Sequence, residues 1–243
     1  MVRIDNFLVF KGFFETRTKS KQAIERGEIF VDGKQILRPA YQILDKNVNI
    51  EYKCQNQFVS LGGFKIEKAL ADFDFKIENL VVADIGASTG GFTDCLLQHG
   101  AKKVFAIDLN DTLLHEKLKN DKRVFLIVKN AKNLVKTDFS DELDLIVADL
   151  SFISITQIIP IFAQILQPNK KLLILIKPQF EVGEKKKFSN GIIKDENLHK
   201  KICDNVICCA KGYGFNMLNI TTAPLNKNKN TEFLVLFEFQ GKS

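Results

Sequence analysis

Residues 80–93, Leu-Val-Val-Ala-Asp-Ile-Gly-Ala-Ser-Thr-Gly-Gly-Phe-Thr, constrain this chain more than any other stretch. An apolar run of strand length ends in an acid, Asp84, and then in the glycines Gly86, Gly90 and Gly91. Glycine lets the backbone turn tightly and approach a ligand, and the ends of strands in an open α/β sheet are where ligands bind. Two further islands follow the same plan. Asp149-Leu-Ser-Phe-Ile-Ser154 follows Leu145-Ile-Val-Ala148, and Lys177-Pro-Gln-Phe-Glu181 follows Leu172-Leu-Ile-Leu-Ile176. A lysine closing an apolar strand is costly to bury unless it is paired or used.

Around these islands strands and helices alternate. Strands are expected near 80–85, 103–108, 123–128, 143–149, 171–177, 214–222 and 231–239, and helices near 64–73, 90–99, 111–120, 154–166 and 195–212. That alternation predicts an α/β domain with a mostly parallel, Rossmann-like seven-stranded sheet over residues 64–243. Lys65 opens the first helix. Glu232 begins the last strand, where Glu238 competes as the inward polar residue. Gly183–Asn190, with Lys185-Lys-Lys187, reads as a mobile loop.

Residues 1–53 read as a separate small α+β unit, joined by a polar linker over 54–63. Arg3 to Phe10 has apolar residues at helical spacing, Thr16 to Arg26 reads as a second helix, and Ile29-Phe-Val-Asp-Gly-Lys-Gln-Ile36 reads as a tight hairpin. Asn47 to Tyr52 alternates like a last strand. This order resembles the S4 RNA-binding domain. Arg3, Arg17, Lys19, Lys21 and Arg26 form the basic set suited to phosphates, although a solvated helix face would carry the same charges.

Bulk properties narrow the class. The chain has 243 residues, 45% of them hydrophobic, which suffices for one full domain and a small module. A net charge of +6 permits an RNA partner without demanding one. No segment reaches the about 20 apolar residues of a membrane helix, and the N-terminus lacks an apolar signal core. Five cysteines without a CxxC pair or histidines at ligand spacing argue against zinc and for reduced thiols in a cytoplasm.

The glycine turn alone fits a dinucleotide as well as S-adenosylmethionine. Three details favour the latter: Asp84 at the turn, Asp108 closing the next strand where ribose hydroxyls are held, and Asn130 after the third strand, where an amide can meet adenine. The alternatives are a helix cap at Asp108 and a turn residue at Asn130. Lysines flanked by acids suit methyl transfer to a ribose hydroxyl, a poor nucleophile until it loses its proton. One lysine, held by acids and tuned by burial, serves as base. A second orients the hydroxyl.

Gly-Ala-Ser-Thr-Gly-Gly-Phe-Thr, Ala-Asp-Leu-Ser-Phe-Ile-Ser and Lys-Pro-Gln-Phe-Glu, after an S4-like domain, resemble the TlyA family of ribosomal RNA 2′-O-methyltransferases, also named hemolysins. The resemblance spans nearly the whole chain. It implies a catalytic tetrad of Lys65, Asp149, Lys177 and Glu232. It implies an S-adenosylmethionine site over Asp84, Gly86, Ala87, Ser88, Gly90, Gly91, Phe92, Asp108, Asn130 and Asp149. It also implies a ribosomal RNA cytidine as target, an influence on capreomycin binding, and no metal or membrane. The short ends match the subtype that modifies the large (50S) subunit's 23S RNA only. Two stretches depart from the family pattern: Ser60-Leu-Gly-Gly63 and Leu109-Asn-Asp-Thr112. The competing classes are a cytolytic protein, which needs an exposed amphipathic or spanning element, and a ribosome-binding or assembly module with an inert site. A pseudouridine synthase often carries an S4 domain too, but needs no cofactor turn.

Overall fold

The computed structural model describes residues 2–14, 16–25, 27–44, 47–52, 57–182, 192–224 and 229–241. The chain divides into two compact units, residues 1–57 and 58–243. The loop expected over 183–190 and position 26 of the basic set lie outside the described residues.

The first unit contains β1 (Val2–Arg3), α1 (Ile4–Phe10), α2 (Arg17–Glu25), β2 (Ile29–Val31), β3 (Lys34–Ile36), β4 (Gln42–Ile43) and β5 (Ile50–Tyr52). Asp32 and Gly33 both hold positive φ, 49° and 78°, the geometry of a two-residue hairpin turn that follows the strands' twist. β2 pairs antiparallel with β3 and β5. Ile4, Phe7 and Leu8 of α1 and Ala23 and Ile24 of α2 close a small core against Ile29, Val31, Ile36 and Ile43. The β1–β4 ladder, Val2 opposite Ile43, was not expected, because two residues carry no readable periodicity.

The second unit runs α3 (Gly62–Asp72), β6 (Val81–Ile85), α4 (Gly91–Gln98), β7 (Lys103–Asp108), α5 (Glu116–Lys119), β8 (Val124–Val128), β9 (Leu145–Ala148), α6 (Ile159–Ile165), β10 (Lys171–Ile176), α7 (Pro178–Glu181), α8 (Glu196–Gly212), β11 (Phe215–Thr222) and β12 (Phe233–Phe239). Its seven-stranded sheet has the order β11-β12-β10-β9-β6-β7-β8. β6 to β10 pair in parallel where they are neighbours, and β12 runs antiparallel to both β10 and β11. The chain reverses direction across the sheet between β6 and β9, so the ligand crevice is expected at the C-terminal ends of those two strands.

Three expectations shift in detail. Phe58 is buried in the second unit's core and Gly62 already begins α3, so this unit starts ahead of residue 64. The helix expected over 111–120 shortens to α5, because the Asn110 side chain accepts from both Thr112 groups and His115 caps Lys117. The helix expected over 154–166 breaks into a 3-10 turn, Ile155–Gln157, and α6, whose Pro160 has no N–H to give. Among the described residues no helix is long and apolar enough to cross a membrane.

Strand alternation decides what faces what. Ala83, Ile85, Ile146, Ala148, Leu172, Ile174 and Ile176 pack on one side of the sheet. Val82, Leu145, Val147, Leu173, Leu175 and Leu234 pack on the other, under α3 and α4. Successive side chains in a strand point to opposite faces. Counting on by that period puts Asp84, Asp149, Lys177 and Glu232 all on the α3–α4 side.

Candidate active site

The cofactor turn is built around Gly86. Its φ is +86°, and a Cβ there would stand 2.6 Å from the Asp149 carbonyl oxygen. Only glycine lets the ends of β6 and β9 come this close. Gly86 N and Ala87 N donate to the Ile107 carbonyl at 2.8 and 3.0 Å. Ser88, itself at φ +50°, donates its N–H to Asp108 Oδ2 at 2.8 Å. Asp108 Oδ1 accepts from Leu109 N at 2.7 Å, so this acid knits the turn to the end of β7. Gly90, at φ +93°, leads into α4. Gly91 serves helix packing as well: a Cβ there would sit 2.9 Å from Gly63 N, at the start of α3. Phe92 and Ala87 are buried.

Asp84 lies beneath the turn with no exposed surface. Its Oδ2 accepts from the Thr93 hydroxyl at 2.6 Å, and its Oδ1 has no hydrogen-bond partner among the described residues. Burial pushes its pKa up to about 7; the Thr93 hydroxyl opposes this, while Asp149 and Asp108 add to it. An orphaned buried acceptor among acids, under a glycine turn, fits a cationic ligand such as a sulfonium amino acid. Asn130 is exposed, and its Oδ1 accepts from Lys132 N at 2.9 Å, capping a short 3-10 turn.

Lys65, Asp149, Lys177 and Glu232 come together from four elements. Lys65 in the first turn of α3 places Nζ 2.6 Å from Glu232 Oε2 and 3.7 Å from Asp149 Oδ2. Asp149 Oδ1 pairs in turn with Lys177 Nζ. The result is a continuous chain, Glu232–Lys65–Asp149–Lys177, in which each charge has an opposite neighbour. Glu232 stands just ahead of β12, beside the end of β10, because Phe233 pairs with Ile176. Glu238 pairs with Lys171 at the other end of β10, away from this edge.

Three residues of the quoted islands had no role assigned from sequence. The Ser151 hydroxyl accepts from Lys177 Nζ at 2.8 Å. The Glu181 carboxylate is held by Ser154 and Ile155, and burial raises its pKa against those two donors. Phe152 is 92% exposed at φ +65°, its ring 5.3 Å from that of Phe180. A bulky residue in the left-handed region is strained. All three sat inside recognisable motifs, but only their contacts distinguish them from loop residues.

In the first unit, Arg3 and Arg17 both bond one carboxylate. Asp5, 1% exposed, accepts from Arg3 Nη2 at 2.9 Å and from Arg17 Nε at 3.0 Å. Lys21 pairs loosely with Glu25 at 3.7 Å, and Lys19 is exposed.

Comparison with known proteins assigns a family to each unit. The FtsJ-like methyltransferase family matches residues 58–239, and the S4 domain family matches residues 2–48. The 16S/23S rRNA (cytidine-2′-O)-methyltransferase TlyA of Mycobacterium tuberculosis is 31% identical over 98% of this chain and 90% of its own length. This chain belongs to the TlyA family of S4-containing, FtsJ-like methyltransferases. Another relative carries the name Hemolysin A, from Brachyspira hyodysenteriae, at 43% identity over 97% of this chain and 99% of its own. A Streptococcus thermophilus structure, described provisionally as a hemolysin, is 35% identical with a TM-score of 0.77 over 99% of this chain and 89% of its own.

Proposed function

We propose that this TlyA-family chain methylates the ribose 2′-hydroxyl of a ribosomal RNA cytidine, in 23S RNA of the large subunit, with S-adenosylmethionine as donor. The work belongs in the cytoplasm, where ribosomes are. The observation that carries the reading is the Glu232–Lys65–Asp149–Lys177 chain at the sheet edge, beside the Gly86 turn. Bound S-adenosylmethionine would supply an activated methyl on a sulfonium.

The protein's own groups do the rest. Lys177, as base, takes the hydroxyl proton; it is nearly buried, with Asp149 holding its Nζ. Lys65, fixed by Glu232 and Asp149, orients the ribose oxygen and steadies its developing negative charge. Asp84, Gly86, Ala87, Ser88, Gly90, Gly91, Phe92, Asp108 and Asn130 shape the donor's seat. Asp84 Oδ1, buried without a hydrogen-bond partner among the described residues, would accept from the donor's cationic end. Alignment of the two reacting centres, rather than covalent help, accounts for most of the rate. Arg3, Arg17, Lys19, Lys21 and Arg26 of the S4 unit hold RNA phosphates and fix register without reading bases.

The test is transfer of tritiated methyl to purified large and small subunits from a strain lacking the enzyme. Label on the large subunit alone, abolished in Lys177→Ala while cofactor binding persists, is the expected result. Full transfer by that variant overturns the tetrad assignment. Label on both subunits overturns the large-subunit restriction.

A further inference from the structure

We propose that Ser151 is a positioning residue that aims the Lys177 amine at the substrate hydroxyl; this rests on the reading of Lys177 as base. A lysine that accepts a proton does so as a neutral amine, with two N–H bonds and one lone pair. Two acceptors stand at Lys177 Nζ: the Asp149 carboxylate, and the Ser151 hydroxyl at 2.8 Å. With one N–H directed to Ser151 and the paired Asp149 carboxylate standing on a second side, the lone pair is left the remaining side. Lys65, paired with Glu232, meets Asp149 through its other oxygen, Oδ2. Without Ser151 the amine would rotate about its last carbon bond, and the lone pair would face the hydroxyl only part of the time.

Ser151 is held where it can do this. It follows Asp149 by two residues, and the loop is tied beyond it by Ser154 and Ile155 to Glu181. The side chain is exposed, so its hydroxyl has no packing role to explain its place. In the reaction the ribose O–H bond breaks and a Lys177 N–H bond forms. The oxygen's electron pair forms the O–C bond as the methyl C–S pair withdraws to sulfur. Ser151 itself is neither consumed nor charged.

The experiment measures kcat on large subunits across pH for the native enzyme, Ser151→Ala, Ser151→Thr and Lys177→Ala, together with cofactor Kd by calorimetry. The expected result for Ser151→Ala is a kcat lower by about 10- to 100-fold, an orientation effect, with cofactor Kd unchanged. Ser151→Thr, which keeps the hydroxyl, restores most of kcat. A native profile in Ser151→Ala beside an inactive Lys177→Ala overturns this proposal alone. So does a kcat loss matched by weaker cofactor binding. An active Lys177→Ala overturns the base assignment and this proposal with it.

Discussion

The Glu181 carboxylate accepts a hydrogen bond from the Ser154 hydroxyl at 2.5 Å and another from Ile155 N at 2.9 Å, joining the loop after β9 to the turn after β10. Two of the three sequence islands are thereby one structural piece, closed at its other end by Lys177 on Asp149 and Ser151.

Removing that tie should loosen the tetrad without touching it. Glu181→Ala leaves the Ile155 amide without its partner, while the Ser154 hydroxyl keeps Thr156, at a cost of about 1–3 kcal/mol. Denaturant titration checks the stability loss, and kcat should fall while RNA affinity holds. Unchanged kcat with lost stability would restrict Glu181 to the scaffold.

Asp84 makes stability depend on pH. Its folded pKa, about 7, lies above the unfolded 3.8. Between those values the folded state holds the proton that the unfolded chain has released, so this group's contribution to stability falls as pH rises from about 4 to 7. The full gap corresponds to up to about 4 kcal/mol. Asp84→Asn should therefore be less sensitive to pH in that window and more stable at pH 8, while binding S-adenosylmethionine more weakly. In the native enzyme the cationic donor should expel the Asp84 proton, a release that calorimetry in buffers of different ionisation enthalpy detects near pH 6–7.

Asp5 should matter to RNA through its arginines. The two guanidiniums beside it hold its carboxyl below the usual range, Arg3 contributing most. Asp5→Asn frees both side chains, and RNA binding should weaken. Loss of one phosphate contact lowers the slope of log affinity against log salt by about 1. An unchanged slope would place Arg3 and Arg17 outside the RNA contact.

Phe152 should separate binding from stability. Phe152→Gly relieves a positive φ that costs about 1 kcal/mol or more, so thermal stability should not fall. A lost base-stacking contact costs about 1–3 kcal/mol of RNA affinity. Opposite signs in the two measurements identify an exposed ring kept for its partner. Unaltered RNA affinity would leave the strain without a function.

Strand-length apolar runs ending in Asp84, Asp108, Asp149 and Lys177 fix both the sheet and the face on which those groups lie, because a strand's side chains alternate with a period of two. The Asp32-Gly33 turn and the two helices ahead of it were legible for a similar reason: their signals are local. Tertiary structure decided the rest. The choice of Glu232 over Glu238 depends on β12 running antiparallel to β10, which places Phe233 beside Ile176 and Glu238 beside Lys171. The meeting of Lys65 with Glu232, of Ser151 with Lys177, and of Arg3 and Arg17 on Asp5 likewise depends on register and helix placement. Those are set by packing between segments distant in the chain, and no local pattern of residues carries them.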